Sequence, residues 1–443
     1  MKDNVVIPVW SIGTFLVVMN TTMFNVSLPE IIAQLHITAG LASWIVSGYS
    51  IGFALSTIIF SRLSDFIPIR KLLAIGLTCL GVSSVLGFMA QGFDLLLTAR
   101  LLQSCGAGAM PGLGMVLASR YVPFERRGRA ITMIASGSAL AFGVGPVAGG
   151  IITEFFGWQE LFLVTCLVIP LVPVLWRLLP KEEQKKVRFD FVGAALIVVT
   201  AAALLIAIAS LSVIFLIVSI AAAILLFKHL YKAKEPFIQP LLFRNSGYRK
   251  LIFMAFSAFV LNMSMLFLMP LILANGFHKS AAAVGLMIFP GALLSACLMN
   301  FVGRWIDRYG NMRFLLAGHI LMGLSLVFIS LGIHISAFVI TFAYLIFAPS
   351  LSTITSTLSN EVSRILPKEQ IGSGMGLSQL SQYMGGSFAV ALCGLLIVWQ
   401  DEIAPLFAYQ HIYILLVVVL LLSLFMLRRY TKSREPLKSE LDA

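Results

Sequence analysis

Apolar residues in this chain come in blocks of about twenty, broken by short polar or charged clusters, and the blocks do not alternate residue by residue. Blocks of that length predict helices that cross a bilayer, since barrel strands are about ten residues long and alternate. In lipid every backbone N–H and C=O needs an internal partner, which a helix supplies within itself. Fourteen helices are predicted, over roughly 7–29, 41–61, 72–91, 95–119, 130–153, 158–179, 191–209, 212–230, 250–273, 282–302, 313–332, 335–359, 371–398 and 411–428. Only "SLS" around Leu211 separates the seventh from the eighth. The first is too long for a cleaved signal peptide, lacks a small-residue cleavage site and has a counterpart later in the chain. The expected fold is an all-α polytopic membrane protein.

Composition points the same way. The chain is 59% hydrophobic and 11% charged, whereas soluble domains carry about 25% charged residues. Of its 31 Lys and Arg, all but Arg100 and Lys279 fall at the chain ends or in loops after even-numbered helices. Basic loops stay cytoplasmic, so both termini are expected in the cytoplasm of a bacterial cell, with the protein multi-pass in the cytoplasmic membrane. The net charge of +12 then reports topology and contact with anionic membrane lipids, and no nucleic-acid partner is expected. The five cysteines fall inside predicted spans with no metal or redox spacing and read as small packing residues. The histidines form no HExxH and no GxxxxGK[ST] phosphate loop is present. No metal, cofactor or catalytic constellation is expected, and the protein reads as a monomer that is not an enzyme.

Internal comparison divides the chain. Asp65 in "FSRLSDFIPIRKLL" and Asp307 in "NFVGRWIDRYGNMRFLL" lie 242 residues apart, as do Asn20 in "VMNTTM" and Asn262 in "VLNMSM". An offset of 244 matches "YVPFERRG" to "ILPKEQIG". Three matches in one order predict two related six-helix bundles, 1–180 and 244–430, separated by a linker region with two inserted helices over 181–243 and followed by a basic cytoplasmic tail at 431–443. Two similar halves around a midplane site form the architecture of rocker-type secondary transporters.

Five segments sharpen this. "SRLSDFIPIRK" and its second-half copy "GRWIDRYGNMR", "ARLLQSCGAGAMPG", "GSALAFGVGPVAGG" and "MFNVSLPE" together resemble the major facilitator superfamily, in its fourteen-helix drug:proton antiporter branch, with class K and L tetracycline exporters similar in texture. The resemblance implies export of hydrophobic or amphiphilic small-molecule drugs in exchange for protons, with sodium as an alternative ion. It also leaves a tetracycline-selective exporter open, although Gly385 stands where those exporters carry a glutamate and Asn20 where relatives carry a helix 1 acid. A non-transporting receptor or scaffold on the same fold is the alternative from another class.

Particular residues carry these expectations. Gly143, Gly145, Pro146, Gly149 and Gly150 crowd into eight positions of the fifth helix, where each Gly costs about 1 kcal/mol and Pro about 3 relative to Ala. Such residues let a neighbouring backbone approach closely, and the resemblance makes this helix a gate. Asp65, Asp307 and Arg308 are its expected counterparts at the cytoplasmic ends, as a latch between helices or as plainly solvated loop charges. Arg100 lies about six residues into the fourth helix, at a cost of roughly 2.5–3.5 kcal/mol. It either snorkels to the outer interface or is a buried cation that tunes proton exchange, with Gln103 one turn on as partner. Glu30, Asp94 and Glu154 are the acids near the membrane that could carry a proton or merely cap helix ends. Asn20, Asn25, Gln103, Asn262, Gln379, Gln382 and Tyr383 form the midplane polar inventory expected to bind substrate.

Overall fold

The computed structural model describes residues 3–64, 67–180, 182, 190–233, 236, 240–400 and 403–432, apart from the side chains of some helical residues such as 124–129 and 368–373. The described residues are helical almost throughout. α1 (Asp3–Leu35), α2 (Ala39–Leu63), α3 (Ile69–Phe88), α4 (Phe93–Ala107), α5 (Ala109–Tyr121), α6 (Phe124–Phe156), α7 (Glu160–Cys166) and α8 (Leu171–Leu178) form a first group. α9 (Phe191–Ser210) and α10 (Val213–Lys232) follow as a pair, and α11 (Ser246–Leu271), α12 (Ala281–Tyr309), α13 (Asn311–Gly332), α14 (Ala337–Ile365), α15 (Lys368–Trp399) and α16 (Pro405–Lys432) form a second group. Thirteen spans among the described residues are long and apolar enough to cross a membrane by length and composition. The protein is a multi-pass membrane protein. α6 runs 33 residues, Phe124–Phe156.

Two expected spans are broken, each at a proline. The fourth divides at Gly108 into α4 and α5, because Pro111 has no N–H to give the Ala107 carbonyl one turn back. The sixth divides after Cys166 into α7 and α8, where Pro170 has no N–H for the Cys166 carbonyl, which accepts the Ile169 N–H at 2.9 Å in its place. Between the seventh and eighth, Leu211 ends α9 in a left-handed conformation with φ 49°. Asp190 opens that pair: its Oδ1 accepts the Gly193 N–H at 2.8 Å and meets His229 Nε2 at 2.7 Å, tying the start of α9 to the end of α10.

In the first group α1 packs along α6, and α2 and α3 along α4; in the second, α11 packs along α15, and α12 and α13 along α14. The groups meet along two seams, α6 against α12 and α2 against α15, and α9 lies against α15 beside the second seam. Apolar side chains such as Leu331, Ile335, Ile214 and Leu324 are exposed around the outside, as a surface facing acyl chains requires.

The end at which α1 begins and α16 finishes, called proximal here, is tied by carboxylates. Glu182 accepts the Ile69 N–H that opens α3 (2.6 Å) and the Tyr121 hydroxyl. In the second group, fully buried Glu361 accepts Asn311 Nδ2 at 2.7 Å and the Tyr430 hydroxyl at 2.8 Å, so one carboxylate on α14 holds α13 and α16. Replacing it by Ala leaves two buried donors without an acceptor, at about 1–3 kcal/mol each. Glu361→Ala is expected to lower the unfolding temperature of the purified protein, and Glu361→Gln, which keeps a side-chain acceptor, to lower it less; thermal unfolding in detergent checks the order.

Candidate functional site

The glycine-rich stretch of α6 has two working faces. A Cβ at Gly145 would strike Thr22 Oγ1, and one at Gly149 would lie 2.6 Å from the Met23 carbonyl oxygen, so these two glycines seat α6 against α1. Gly143 and Gly150 face the other way. A Cβ at Gly150 would strike the Ala281 carbonyl oxygen, and one at Gly143 would sit 3.3 Å from Ala292 Cβ on α12. α12 answers with Gly285, whose missing side chain makes room for the Pro146 carbonyl oxygen. Removing side chains at these places lets two backbones come together, which is how helices associate where water offers no hydrophobic drive.

The second seam follows the same rule. A Cβ on Gly394 of α15 would lie 2.7 Å from Ser43 Cβ, and one on Gly40 of α2 would lie 3.3 Å from Val398. The glycine approaches between the two groups among the described residues all fall in the half of the bundle away from the termini, the distal half. A carboxylate reinforces them: Glu154, near the end of α6, accepts the Ala282 N–H at 2.8 Å in the first turn of α12, where the helix dipole favours a negative charge.

Inside the first group lies a charged cluster. Arg100 is fully buried on α4, so it does not snorkel to an interface. Its Nη1 donates to Asn20 Oδ1 at 2.6 Å and to Gln103 Oε1 at 3.0 Å, and Gln103 Nε2 donates to Ser84 Oγ at 2.7 Å. α1, α3 and α4 thereby share one polar chain. The guanidinium carbon lies 4.1 Å from the centre of the Phe24 ring and 3.8 Å from that of Tyr49, and an aromatic face attracts a cation most when both are desolvated. Nε and Nη2 of Arg100 and Nδ2 of Asn20 have no hydrogen-bond partner among the described residues.

An aromatic path leads from this cluster into the second group. Tyr49 stacks on Phe53 at 6.1 Å, Phe53 meets the edge of Tyr383 at 5.1 Å, and Tyr383 meets Phe259 at 5.7 Å. The path crosses from α2 to α15 and then to α11.

The structure therefore brings together Asn20, Arg100 and Gln103, and sets Tyr383 at the far end of the aromatic path. Asn25 is buried nearby on α1 with an unpaired Oδ1. Asn262 is buried on α11, and Gln379 and Gln382 are half-buried on α15, without a described hydrogen bond to the arginine cluster. Glu30 and Asp94 are exposed; Glu30 accepts Gln34 Nε2 at 2.7 Å. Asp65 lies outside the described residues, as does the side chain of Asp307, while exposed Arg308 packs over the Tyr309 ring at 5.3 Å. Sequence reasoning missed Phe24, Tyr49, Phe53, Ser84 and Phe259. The pair Tyr49 and Phe53, one turn apart amid Ser47, Ser50 and Ser56, was a readable signal: two aromatics on one face of a serine-rich span.

The seam predicts a measurable consequence. A side chain at Gly150 must push α12 away from α6, so Gly150→Leu is expected to reduce disulfide formation in a Gly40→Cys/Val398→Cys pair placed across the other seam. Cross-linking yield in native membranes, in a background free of the native cysteines, checks it.

Comparison with known proteins agrees with this architecture. The sequence profile described as Major Facilitator Superfamily matches residues 10–390. The chain is 25% identical over 401 residues to the uncharacterized MFS-type transporter YcnB of Bacillus subtilis, spanning 88% of this chain and 85% of that protein. It is also 25% identical to the multidrug resistance protein Stp of Mycobacterium tuberculosis, over 86% of this chain and 74% of Stp, and to the riboflavin transporter RibZ of Clostridioides difficile, over 88% and 87%. Among solved structures, the POT family transporter PepTSo superposes with a TM-score of 0.72 at 15% identity, covering 96% of this chain and 98% of that one. The human organic anion transporter MFSD10 superposes at 0.66 with 16% identity, covering 96% and 100%. At such identities the structures speak for the fold alone, but the profile covers most of the chain: the protein belongs to the Major Facilitator Superfamily.

Proposed function

We propose that this protein exports hydrophobic or amphiphilic organic compounds across a bacterial cytoplasmic membrane in exchange for protons, working as a monomer by alternating access. The observation that carries the reading is the two-faced glycine surface of α6. One face is seated on α1 of its own group and the other forms a seam with α12, and that seam is what a rocking motion has to open. The matching helix pairings of the two groups support two repeated six-helix domains, with α6 as the fourteenth span and α9 and α10 inserted between them. The Stp relative supports drugs as the cargo class.

On this reading both termini are cytoplasmic, because the basic residues gather at the proximal end. The structure then has its external side closed. Opening that side separates α6 from α12, releases Glu154 from the Ala282 N–H and frees its carboxylate to take a proton. Glu154 is thus the favoured proton carrier over Glu30 and Asp94, whose surroundings do not change across a seam. Asp65 and Asp307, with Arg308, are assigned to the reciprocal closure at the cytoplasmic end. Arg100 keeps a fixed positive charge inside the first domain, and the aromatic path with Asn25, Asn262, Gln379 and Gln382 offers mostly apolar contacts with a few polar anchors, as pockets for amphiphilic ligands do.

The test uses everted vesicles energised by respiration. Ethidium, a fluoroquinolone, tetracycline and riboflavin are added in turn while the pH gradient is followed, with sodium varied. Collapse of the gradient by several unrelated compounds, lost in Arg100→Ala and slowed in Glu154→Gln, is the expected result. Collapse by tetracycline alone would replace multidrug export with selective export. Transport that follows sodium and leaves the pH gradient untouched would reject proton coupling, and no flux of any compound, beside a responding control pump, would reject export of this panel.

A further inference from the structure

The Arg100 cluster is incomplete in a specific way. The guanidinium presents five donors, and the two on Nη1 are used by neutral amide oxygens of Asn20 and Gln103. The Nε–Nη2 edge has no partner among the described residues, although the side chain is fully buried. That edge offers two parallel N–H groups, the fork that matches the two oxygens of a carboxylate. No ion pair to Arg100 occurs among the described residues; the nearby polar groups are amides and hydroxyls. A buried cation without a counter-charge is costly, and the cost is removed when an anion arrives with the cargo.

The surroundings add donors. Asn20 Nδ2 is buried and unpaired on the same amide that contacts Nη1. The Tyr49 hydroxyl, beside Thr21, completes no bond within ordinary hydrogen-bond distance. The ring of Tyr49 lies on the guanidinium and begins the aromatic path through Phe53 and Tyr383 to Phe259. One end of the site therefore asks for negative charge and the rest for flat aromatic surface. Tyr49 and Phe53 stand on α2, and Tyr383 on the helix across the seam, so parting of α2 from α15 uncovers the rings together with the arginine behind them.

We propose that the Nε–Nη2 edge of Arg100 is the anion-binding end of the substrate site, and that the favoured cargo is a planar aromatic compound bearing a carboxylate, its rings laid along Tyr49, Phe53, Tyr383 and Phe259. The proposal rests on the export reading for the word cargo, but the site it names binds ligand whether or not transport is proton-coupled.

The experiment separates the two. The purified full-length protein in nanodiscs is titrated with anthracene carboxylate, its carboxamide and its aminomethyl analogue, with empty nanodiscs subtracted and ligand fluorescence as readout. Wild type is expected to bind the carboxylate at least about ten-fold more tightly than the carboxamide, the scale of losing one buried charge-assisted pair. Arg100→Gln should level the two. Because that variant can fail to fold, Asn20→Asp is measured beside it: an internal carboxylate against Nη1 supplies the missing charge, so the preference should vanish while the protein stays monodisperse. Equal binding of carboxylate and carboxamide by wild type, tighter binding of the amine, or a preference that survives both variants overturns the proposal. The same three compounds are then added to energised vesicles. Binding of the carboxylate without collapse of the pH gradient rejects proton-coupled export and leaves the anion site standing, whereas gradient collapse by the amine alone does the reverse.

Discussion

Two helix backbones meeting with no side chain between them set the terms for everything else in this molecule. At Gly150 the space a Cβ would fill is taken by the Ala281 carbonyl oxygen, and at Gly285 by that of Pro146. Such contacts depend on close fit rather than on hydrophobic drive, which lipid does not supply. They hold only while the fit is kept along the whole seam. On the alternating-access proposal this is the seam that a gate would open. The second face of α6, where Gly145 and Gly149 seat it on α1, ties the helix to its own group.

A buried charge sits where this motion would reach it. Arg100 is held by amide oxygens from α1 and α4 and by two aromatic rings, and Gln103 ties the set to Ser84 on α3. These contacts fix the position of the guanidinium without neutralising it. The aromatic path from Tyr49 to Phe259 then links the charged cluster to the second group through the α2–α15 seam. A ligand lying on that path would touch both groups at once, so on the proposed rocking motion its binding would be coupled to the opening of the seam.

Much of the fold was readable from particular residues. Leu211 marks the turn between α9 and α10, whereas the helices expected over 95–119 and 158–179 ran straight through Pro111 and Pro170, where the structure divides them. The glycines of α6 announced a close approach. What they could not announce was its direction: Gly143 and Gly150 face α12 while Gly145 and Gly149 face α1, and residues seven or four apart on one helix carry no mark of which neighbour they meet. Glu361, fully buried and holding α13 and α16, drew no notice because a lone glutamate near a span's polar end looks like any solvated cap.

The sequence by itself determined the membrane environment, the helical class and where most spans run, because these follow from a local quantity, the length of apolar runs. Only the tertiary structure decided that Arg100 is buried rather than snorkelled, that Asn20, 80 residues away, is its partner, and that Glu154 bonds across to α12 while Glu30 bonds within its own helix. Those outcomes depend on which helices become neighbours and at what rotation. In lipid, where all the spans are similarly apolar, that choice is made by shape and by the few polar groups that must find one another, and neither is visible one residue at a time.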